Sequence, residues 1–142
     1  MNSRVITKGF TLIELLIVVA IVAITTTLAY PSYQKYIQDG HRSDAQQGML
    51  QTAAILERIY SRNGGYPDSN SFTDLPKSAV YTFEYKHDPD LPAGSPDFRS
   101  LKFTLKAKPK AGSVQSSDRC AVLEIDQTGK TTASGNGNDC WK

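Results

Sequence analysis

The stretch that decides the fold is Lys8-Gly9-Phe10-Thr11-Leu12-Ile13-Glu14, which opens an apolar run that continues as far as Ala29. Between Phe10 and Ala29 the chain has 20 residues, most of them Leu, Ile, Val, Ala or Thr, and Glu14 is the one charged residue among them. A hydrocarbon core of about 30 Å is crossed by roughly 20 helical residues, at a rise of about 1.5 Å each. The run is therefore long enough to span a bilayer as a single helix.

Two simple interpretations of this run leave Glu14 unexplained. Arg4 and Lys8 precede the run, so the positive-inside rule predicts a cytoplasmic N-terminus and an external remainder. A secretory signal peptide would be cleaved after Ala29 and give a mature chain that begins at Tyr30, whereas a plain anchor would stay attached. In both cases an ionised carboxylate within the apolar helix costs about 2.5 to 3.5 kcal/mol on insertion scales. Glu14 therefore needs a partner inside the membrane.

The dipeptide Gly9-Phe10 offers that partner. Gly9 is small and lies directly before the apolar run, and cleavage after it would give Phe10 a free α-amine. An α-amine has a pKa of about 7.7 to 8.0 and is positive near neutral pH. The carboxylate of Glu14 in one subunit would then neutralise the amine of a neighbouring subunit within the membrane.

This N-terminal segment resembles that of the type IV pilins, which have a short basic leader, then Gly, Phe and Thr-Leu-Ile-Glu, and then an apolar helix. The resemblance implies that residues 1–9 are a leader that a prepilin peptidase removes by cutting between Gly9 and Phe10. It also implies that the new Phe10 amine is N-methylated and that Glu14 guides the subunit into a filament. The chain departs from the family at Thr25-Thr26-Thr27, where pilins carry more aliphatic or glycine residues.

The helix is predicted to continue beyond the membrane, with a bend at Pro31. Proline removes one backbone hydrogen bond and clashes with the preceding turn, and pilins commonly kink their helix at this place. Apolar positions then recur at helical spacing and predict an amphipathic half that lies on a sheet. Asn63-Gly64-Gly65 ends the helix. The recurring positions are Tyr33, Tyr36, Ile37, Ala45, Met49, Thr52, Ala53, Leu56, Ile59 and Tyr60.

The rest of the chain predicts an antiparallel sheet of four strands. Polar and apolar residues alternate along each strand, which gives the sheet one covered face and one wet face. Turn-forming residues predict a loop over 66–77, with at most one helical turn around 72–75, and a long turn at Pro89, Pro92, Gly94 and Pro96. The predicted strands are Tyr81–His87, Leu101–Lys108, about Cys120 to Asp126, and about Lys130 to Ala133.

The fold class is therefore α+β, the type IV pilin fold. A long N-terminal helix, with a membrane-spanning half and an amphipathic half, packs on the four-stranded sheet. The predicted organisation is a removable leader at 1–9, a transmembrane and filament-core helix at 10–30, and a periplasmic head domain at 31–142.

Cys120 and Cys140 both lie in the predicted external part. Two thiols in an oxidising compartment most simply form one disulfide, which here closes a loop of 21 residues counted with both cysteines. Such a loop stabilises the fold by roughly 3 kcal/mol. A metal site is a poor alternative, because the chain has no Cys-x-x-Cys and neither His41 nor His87 is near a cysteine in sequence. A disulfide near the C-terminus also resembles the pilins, and most of all minor pilins of the PilE type.

The composition and motifs exclude several other functions. The sequence has no phosphate-binding Gly-x-x-x-x-Gly-Lys loop, no His-Glu-x-x-His motif, and no nucleophile beside either histidine. We therefore expect no enzymatic activity, no cofactor and no metal. The formal net charge is +2, and without residues 1–9 the chain has 14 basic and 14 acidic side chains, which excludes a strongly basic nucleic-acid binder.

A row of lysines keeps DNA binding open as an alternative. Lys102, Lys106, Lys108 and Lys110 occupy alternate positions, share one face of the second predicted strand, and form a basic stripe that can follow phosphates. Some pilins bind DNA during uptake. A solvated outer face, or a charged edge that discourages pairing with another strand, is the simpler interpretation. Aromatic residues that would stack on bases are missing from this wet face, since Phe103 points the other way.

The sequence thus predicts a structural subunit of a type IV pilus, and a minor one. Before assembly the apolar helix holds it in the bacterial inner membrane, and afterwards it belongs to a cell-surface filament that serves motility, adhesion or DNA uptake. Its expected partners are other pilins in a helical filament, the prepilin peptidase and the inner-membrane assembly machinery. The alternatives are a DNA-binding uptake pilin and a type II secretion pseudopilin. Pseudopilins more often lack a C-terminal disulfide, so Cys120 and Cys140 count against the second.

Overall fold

The structure is a computed structural model, and it describes residues 9–88 and 100–141 except for the side chain of Leu28. The chain separates into two compact units, of which the first ends at Tyr36 and the second begins at Ile37. Pro89, Pro92, Gly94 and Pro96, where we predict a long turn, lie outside the described residues. The elements in chain order are α1 (Leu12–Asn63), β1 (Tyr81–His87), β2 (Phe103–Pro109), a short 3-10 helix (Val114–Ser117), β3 (Leu123–Asp126) and β4 (Thr131–Ala133).

The first unit contains the apolar part of α1. Its most apolar 18-residue window has a mean hydropathy of 2.5, so by length and composition this helix is able to cross a membrane. The large apolar side chains of the run are exposed, including Ile13 at 62% and Val19 at 58%. The helix continues through Pro31, which has no N–H to donate. The bend at Pro31 stays a prediction.

The three threonines that depart from the pilin pattern satisfy their own hydroxyl groups. Thr25 Oγ1 donates to the carbonyl of Ile21 at 3.0 Å, and Thr26 Oγ1 donates to that of Val22 at 2.7 Å. Thr27 Oγ1 likewise donates to Ile24 at 2.7 Å. Because lipid offers no hydrogen bonds, such internal bonding lets threonine occur in a membrane helix.

In the second unit, α1 packs one face on an antiparallel sheet of order β1-β2-β3-β4. Residues alternate between the covered and the outer face along each long strand, so Tyr81, Phe83 and Tyr85 of β1 are buried while Thr82 and Lys86 are exposed. This arrangement confirms the predicted fold class. The other main members of the core are Ala45, Met49, Leu56, Tyr66, Phe72, Phe103, Leu105, Ala107, Leu123 and Ile125.

The ends of α1 and β1 lie where the sequence predicts them. α1 stops at Asn63, and Gly64 follows with φ +73° while its N–H donates to the carbonyl of Tyr60 at 2.8 Å. A left-handed glycine directly after the last helical residue is a common helix end. The loop over 66–77 has no helical turn at 72–75, and instead Asp68 makes a turn by accepting the N–H of Phe72 at 3.1 Å.

Two predicted strand starts are wrong, each for a local reason. The third strand begins at Leu123 rather than Cys120, because Ala121 has a left-handed φ of 51° and its N–H closes a turn onto Asp118. The second strand begins at Phe103 rather than Leu101. The hydroxyl of Ser100 donates to the carbonyl of Lys102 at 2.7 Å and accepts its N–H at 3.3 Å, so a side chain occupies the backbone groups of Lys102 just before the strand begins.

The C-terminal segment closes on the sheet through a disulfide between Cys120 and Cys140, with a Cα–Cα distance of 5.5 Å. Two glycines make the close approach possible. A Cβ at Gly135 would lie 2.1 Å from the carbonyl oxygen of Arg119, and one at Gly137 would lie 3.0 Å from the sulfur of Cys140. The backbone of this segment therefore passes where no side chain fits.

We expect Gly135→Ala to lower the free energy of unfolding by about 1 to 3 kcal/mol or more, because the new methyl group meets backbone atoms that cannot turn aside. Gly40→Ala is the matched control, since a Cβ at that exposed helical position meets nothing within 4 Å. The control should stabilise the fold by up to about 1 kcal/mol, because alanine favours a helix. Thermal unfolding of the full chain in detergent measures both, and equal unfolding temperatures for the two variants would contradict the packing argument.

Candidate functional site

Glu14 lies in the first turn of α1, where its carboxylate is held by Thr11. Glu14 Oε2 accepts hydrogen bonds from Thr11 N at 3.0 Å and Thr11 Oγ1 at 2.9 Å, and Glu14 N donates back to Thr11 Oγ1 at 3.3 Å. This reciprocal pattern is a capping box, which satisfies the free N–H groups at a helix start. The sequence signal for it, Thr-x-x-Glu directly before an apolar run, is present at 11–14 but does not enter our sequence prediction.

The capping box places the carboxylate beside the predicted cleavage position. The carboxylate of Glu14 accepts the backbone N–H of Thr11, and Phe10 directly precedes Thr11. Cleavage would therefore create the new amine one residue away from the group that Glu14 binds. Gly9 and Phe10 are both exposed, and a Cβ on Gly9 would meet nothing within 4 Å. Nothing in the described residues blocks approach to the bond between them.

A carboxylate has about four lone-pair directions, and a capping box uses part of them. The remaining capacity of Glu14 is open to a further donor, because the side chain has no cover in the single chain. The site can thus hold its own helix start and accept a positive group at the same time.

The four lysines of the predicted stripe all have partners. Lys106 Nζ lies 2.8 Å from Glu124, Lys108 Nζ lies 2.8 Å from Glu84, and Lys102 Nζ lies 3.4 Å from Asp88. Lys110 Nζ donates to the carbonyl of Ser78 at 2.7 Å. Lys106 and Lys108 point outward from β2, while Lys102 precedes that strand and Lys110 follows it.

The outer face of the four strands is electrically balanced. It pairs neighbours of opposite charge across the sheet, since Glu84 is opposite Lys106 and Lys106 is opposite Glu124. Hydrogen bonds from Thr128 lower the pKa of Asp126, so this side chain also stays a carboxylate. The charged residues of this face are Lys86, Lys106 and Lys108 against Glu84, Glu124 and Asp126. Phosphates would therefore have to replace carboxylates as partners of the lysines.

His87 has a structural role at the start of the loop-to-sheet contact. His87 Nδ1 accepts the backbone N–H of Ser69 at 3.0 Å and lies 3.9 Å from Asp68, which is a structural position between the loop and β1. Over 9–88 and 100–141, no three residues of the types His, Cys, Asp and Glu come close enough together to hold a metal ion.

Polar residues of α1 fasten the disulfide segment, and our sequence analysis does not include them. Arg42 donates to both oxygens of Asp118, at 3.1 and 3.0 Å, and Asp118 in turn accepts the N–H of Cys120 at 3.3 Å. One helical turn later, Gln46 Nε2 donates to the carbonyl of Cys140. Each cysteine is therefore connected to the same side of the helix.

Asp118 is the centre of this buried cluster. Its side chain is fully buried, and it also accepts a hydrogen bond from Gln115 Nε2 at 2.7 Å. Burial, followed by the charge of Asp118, raises the pKa of Tyr81, which keeps that phenol protonated beside the carboxylate. A buried carboxylate needs such partners, because removing one of them leaves an uncompensated charge.

Two protein-family models match this chain, one over the apolar N-terminal segment and one over most of the remainder. A family model described as a prokaryotic N-terminal methylation motif matches residues 6–30. A second model, described as the type IV minor pilin ComP, DNA uptake sequence receptor, matches residues 31–124. The chain belongs to the type IV pilins. It is a structural subunit of a pilus, of the minor-pilin type that the second model describes, and it is not an enzyme.

The individual relatives of this pilin are pilus proteins. It is 31% identical to the type IV major pilin PilE of Neisseria gonorrhoeae, over 93% of this chain and 86% of the relative. It is 29% identical to a fimbrial protein of Neisseria meningitidis serogroup B, over 93% and 88% of the two chains. The methylation motif implies that a prepilin peptidase processes the chain and that it assembles with other pilins.

Solved structures agree with this fold. A type IV pilin from Shewanella oneidensis is 36% identical, with a TM-score of 0.57 over 74% of this pilin and 98% of that chain. The minor pilin PilV of Neisseria meningitidis, at 20% identity, has a TM-score of 0.53 over 75% and 95% of the two chains and shows the fold alone.

We expect Thr11→Val to loosen the first turn of α1, because the side chain of valine can neither donate to the Glu14 carboxylate nor accept the Glu14 N–H, and only the backbone bond from residue 11 remains. Hydrogen exchange of the full chain in detergent micelles should then be several-fold faster for the amides of residues 12 to 15. Thr26→Val is the control, since the hydroxyl of Thr26 bonds only within the helix. Unchanged exchange in Thr11→Val would show that the capping box does not hold this turn.

Proposed function

We propose that residues 10–30 of this pilin hold it in the bacterial inner membrane, with residues 31–142 in the periplasm, until assembly machinery extracts it into a pilus. Before that, a prepilin peptidase cuts between Gly9 and Phe10, and the new Phe10 amine is methylated. In the filament the apolar helices pack together, and the carboxylate of Glu14 pairs with the Phe10 amine of a neighbouring subunit.

The observation that carries this proposal is one carboxylate in an otherwise apolar, exposed helix. Large side chains of the run, such as Leu16 at 55% and Ile24 at 63% exposure, need either lipid or other helices around them. Glu14 has its own helix start as a partner, which leaves its negative charge without a positive counterpart in the apolar run. A neighbouring amine supplies that charge, and in a medium of low dielectric constant the attraction between the amine and the carboxylate is strong.

We expect Glu14→Ala to fold and insert into the membrane normally but to be absent from pili. Glu14→Gln separates charge from capping, because Gln can still accept hydrogen bonds at this helix position. If pairing requires the negative charge, the Glu14→Gln protein should also be absent from pili. Asp74→Ala, at an exposed loop position, serves as the control and should be incorporated. Immunoblots of sheared pili and membrane fractions measure this, and normal incorporation of Glu14→Gln would overturn the pairing.

The mature N-terminus is expected to be a methylated Phe10. Mass spectrometry of the protein from membranes and from pili determines this directly. A chain that begins at an unmodified Tyr30 would instead show a conventional signal peptide, and a chain that retains residues 1–9 would show that the leader is not removed.

Binding to DNA is a second candidate function, which the description of the matching family model favours. The lysines of the outer face would have to supply contacts to phosphates, at the cost of their pairs with Glu84 and Glu124. Exposed pairs of this kind are worth about 0 to 1 kcal/mol each, so a polyanion is able to displace them.

If the outer face binds DNA, Lys106→Gln with Lys108→Gln should weaken binding of the full chain to duplex DNA several-fold. The slope of log affinity against log salt should also fall by about 2, at roughly 0.9 per phosphate contact. The double substitution Glu84→Gln with Glu124→Gln is the matched comparison. It removes the carboxylate partners of the same two lysines and should therefore strengthen DNA binding. Affinity that is unaffected by either pair of substitutions would place any DNA contact elsewhere.

A further inference from the structure

Three exposed tyrosines follow the apolar run of α1. Tyr30, Tyr33 and Tyr36 are 60%, 65% and 76% exposed, and no buried core of the first unit covers them. Their spacing of three residues brings successive rings close along the helix surface. The phenol of Tyr30 accepts a hydrogen bond from Gln34 Nε2 at 2.8 Å, so its polar end is directed toward the polar part of the helix.

Their positions match the dimensions of a bilayer. Tyr30 is 20 residues beyond Phe10, which at about 1.5 Å per residue is about 30 Å, the thickness of the hydrocarbon core. Tyr36 is six residues further, or about 9 Å. The headgroup region adds about 5 to 7 Å on each side of the core. Tyr30 therefore lies at the inner boundary of one headgroup layer, Tyr33 lies within the layer, and Tyr36 lies just beyond its outer edge.

The residues on either side of the three tyrosines also change character at the boundary between the hydrocarbon core and the headgroup layer. Lys35 is the first cation after Lys8, and a lysine at the end of a spanning helix extends its ammonium group toward lipid phosphates. Tyrosine is enriched at membrane interfaces because one end of the ring is apolar and the other is polar. From Leu15 to Ala29 the side chains are apolar or internally bonded threonines, and polar side chains begin again at Ser32.

We propose that Tyr30, Tyr33 and Tyr36 form an aromatic belt that binds the headgroup layer of a phospholipid bilayer and fixes the depth of the helix before assembly. The proposal rests on the proposed function, in which residues 10–30 span the inner membrane. The belt lies at the end of the run opposite Glu14.

The belt also determines where Glu14 lies. Glu14 is 16 residues before Tyr30, or about 24 Å, which puts it about 6 Å inside the far boundary of a core of about 30 Å. Moving the helix by one turn, about 5.4 Å, would bring the carboxylate to the boundary of the hydrocarbon, but it would also draw Tyr30 and Tyr33 into the hydrocarbon. The belt opposes this movement and keeps the carboxylate at a depth where an amine of another subunit is its best partner.

Depth-dependent fluorescence quenching tests the belt. The full chain with Trp141→Phe would be reconstituted in vesicles of phosphatidylethanolamine and phosphatidylglycerol with brominated acyl chains. Tyr33→Trp should be quenched more strongly by bromines near the headgroup end of the acyl chain than by bromines near its terminal methyl. Val19→Trp, in the middle of the run, should show the opposite order, and Gln47→Trp, exposed in the second unit, should be quenched by neither. A Tyr33→Trp variant that behaves like Gln47→Trp would overturn the belt.

A second measurement tests whether the belt sets depth. In the Val19→Trp protein, adding Tyr33→Leu and Tyr36→Leu should move the reporter away from the bilayer centre and lower its quenching by deep bromines by about half. Adding Gln47→Leu is the matched control and should change nothing. An unchanged reporter after loss of both tyrosines would overturn the depth-setting role. If Val19→Trp alone is not quenched by deep bromines, the fault lies with the spanning helix of the proposed function instead.

Discussion

In the proposed function, the constraint on which the rest of this pilin depends is a carboxylate that remains charged in an apolar run. Thr11 donates hydrogen bonds to the Glu14 carboxylate but does not neutralise its charge, since a hydroxyl and an amide supply only dipoles. The threonine hydroxyls further along bond within the helix, so Glu14 is the one group there that still needs a counterpart from outside. Lipid cannot provide this counterpart, whereas the amine of another subunit can.

The second unit meets a different requirement, because it has to stay folded beside water with a modest core. The buried Arg42 and Asp118 pair and the Gln46 hydrogen bond connect both cysteines to α1. A buried ion pair adds little net stability on its own, but losing either partner is costly. Its effect here is to fix which part of the helix the C-terminal segment meets, and the disulfide then closes that arrangement covalently.

Much of the fold could be predicted from the sequence, because it follows from local patterns. Helical spacing and Gly64 locate the end of α1, and the alternation in Tyr81–His87 gives a strand with one buried face. The starts of β2 and β3 could not be predicted, since they depend on the Ser100 hydroxyl and on the left-handed backbone of Ala121. The Arg42 cluster was equally out of reach, because its partner lies 76 residues away in the chain and neither residue type is distinctive.

The lysines show why a pattern of charges does not by itself define a binding surface. Alternate positions on β2 do place Lys106 and Lys108 on one face, as the sequence predicts, but the register with β1 and β3 puts a carboxylate within reach of each. Strand register is a long-range property, so the neutralising partners are invisible in a single strand. A face built from such pairs has little long-range field and attracts a polyanion weakly beyond about 10 Å at 0.1 M salt. Any contact with DNA on this face would therefore have to begin at close range, through exchange of one anionic partner for another.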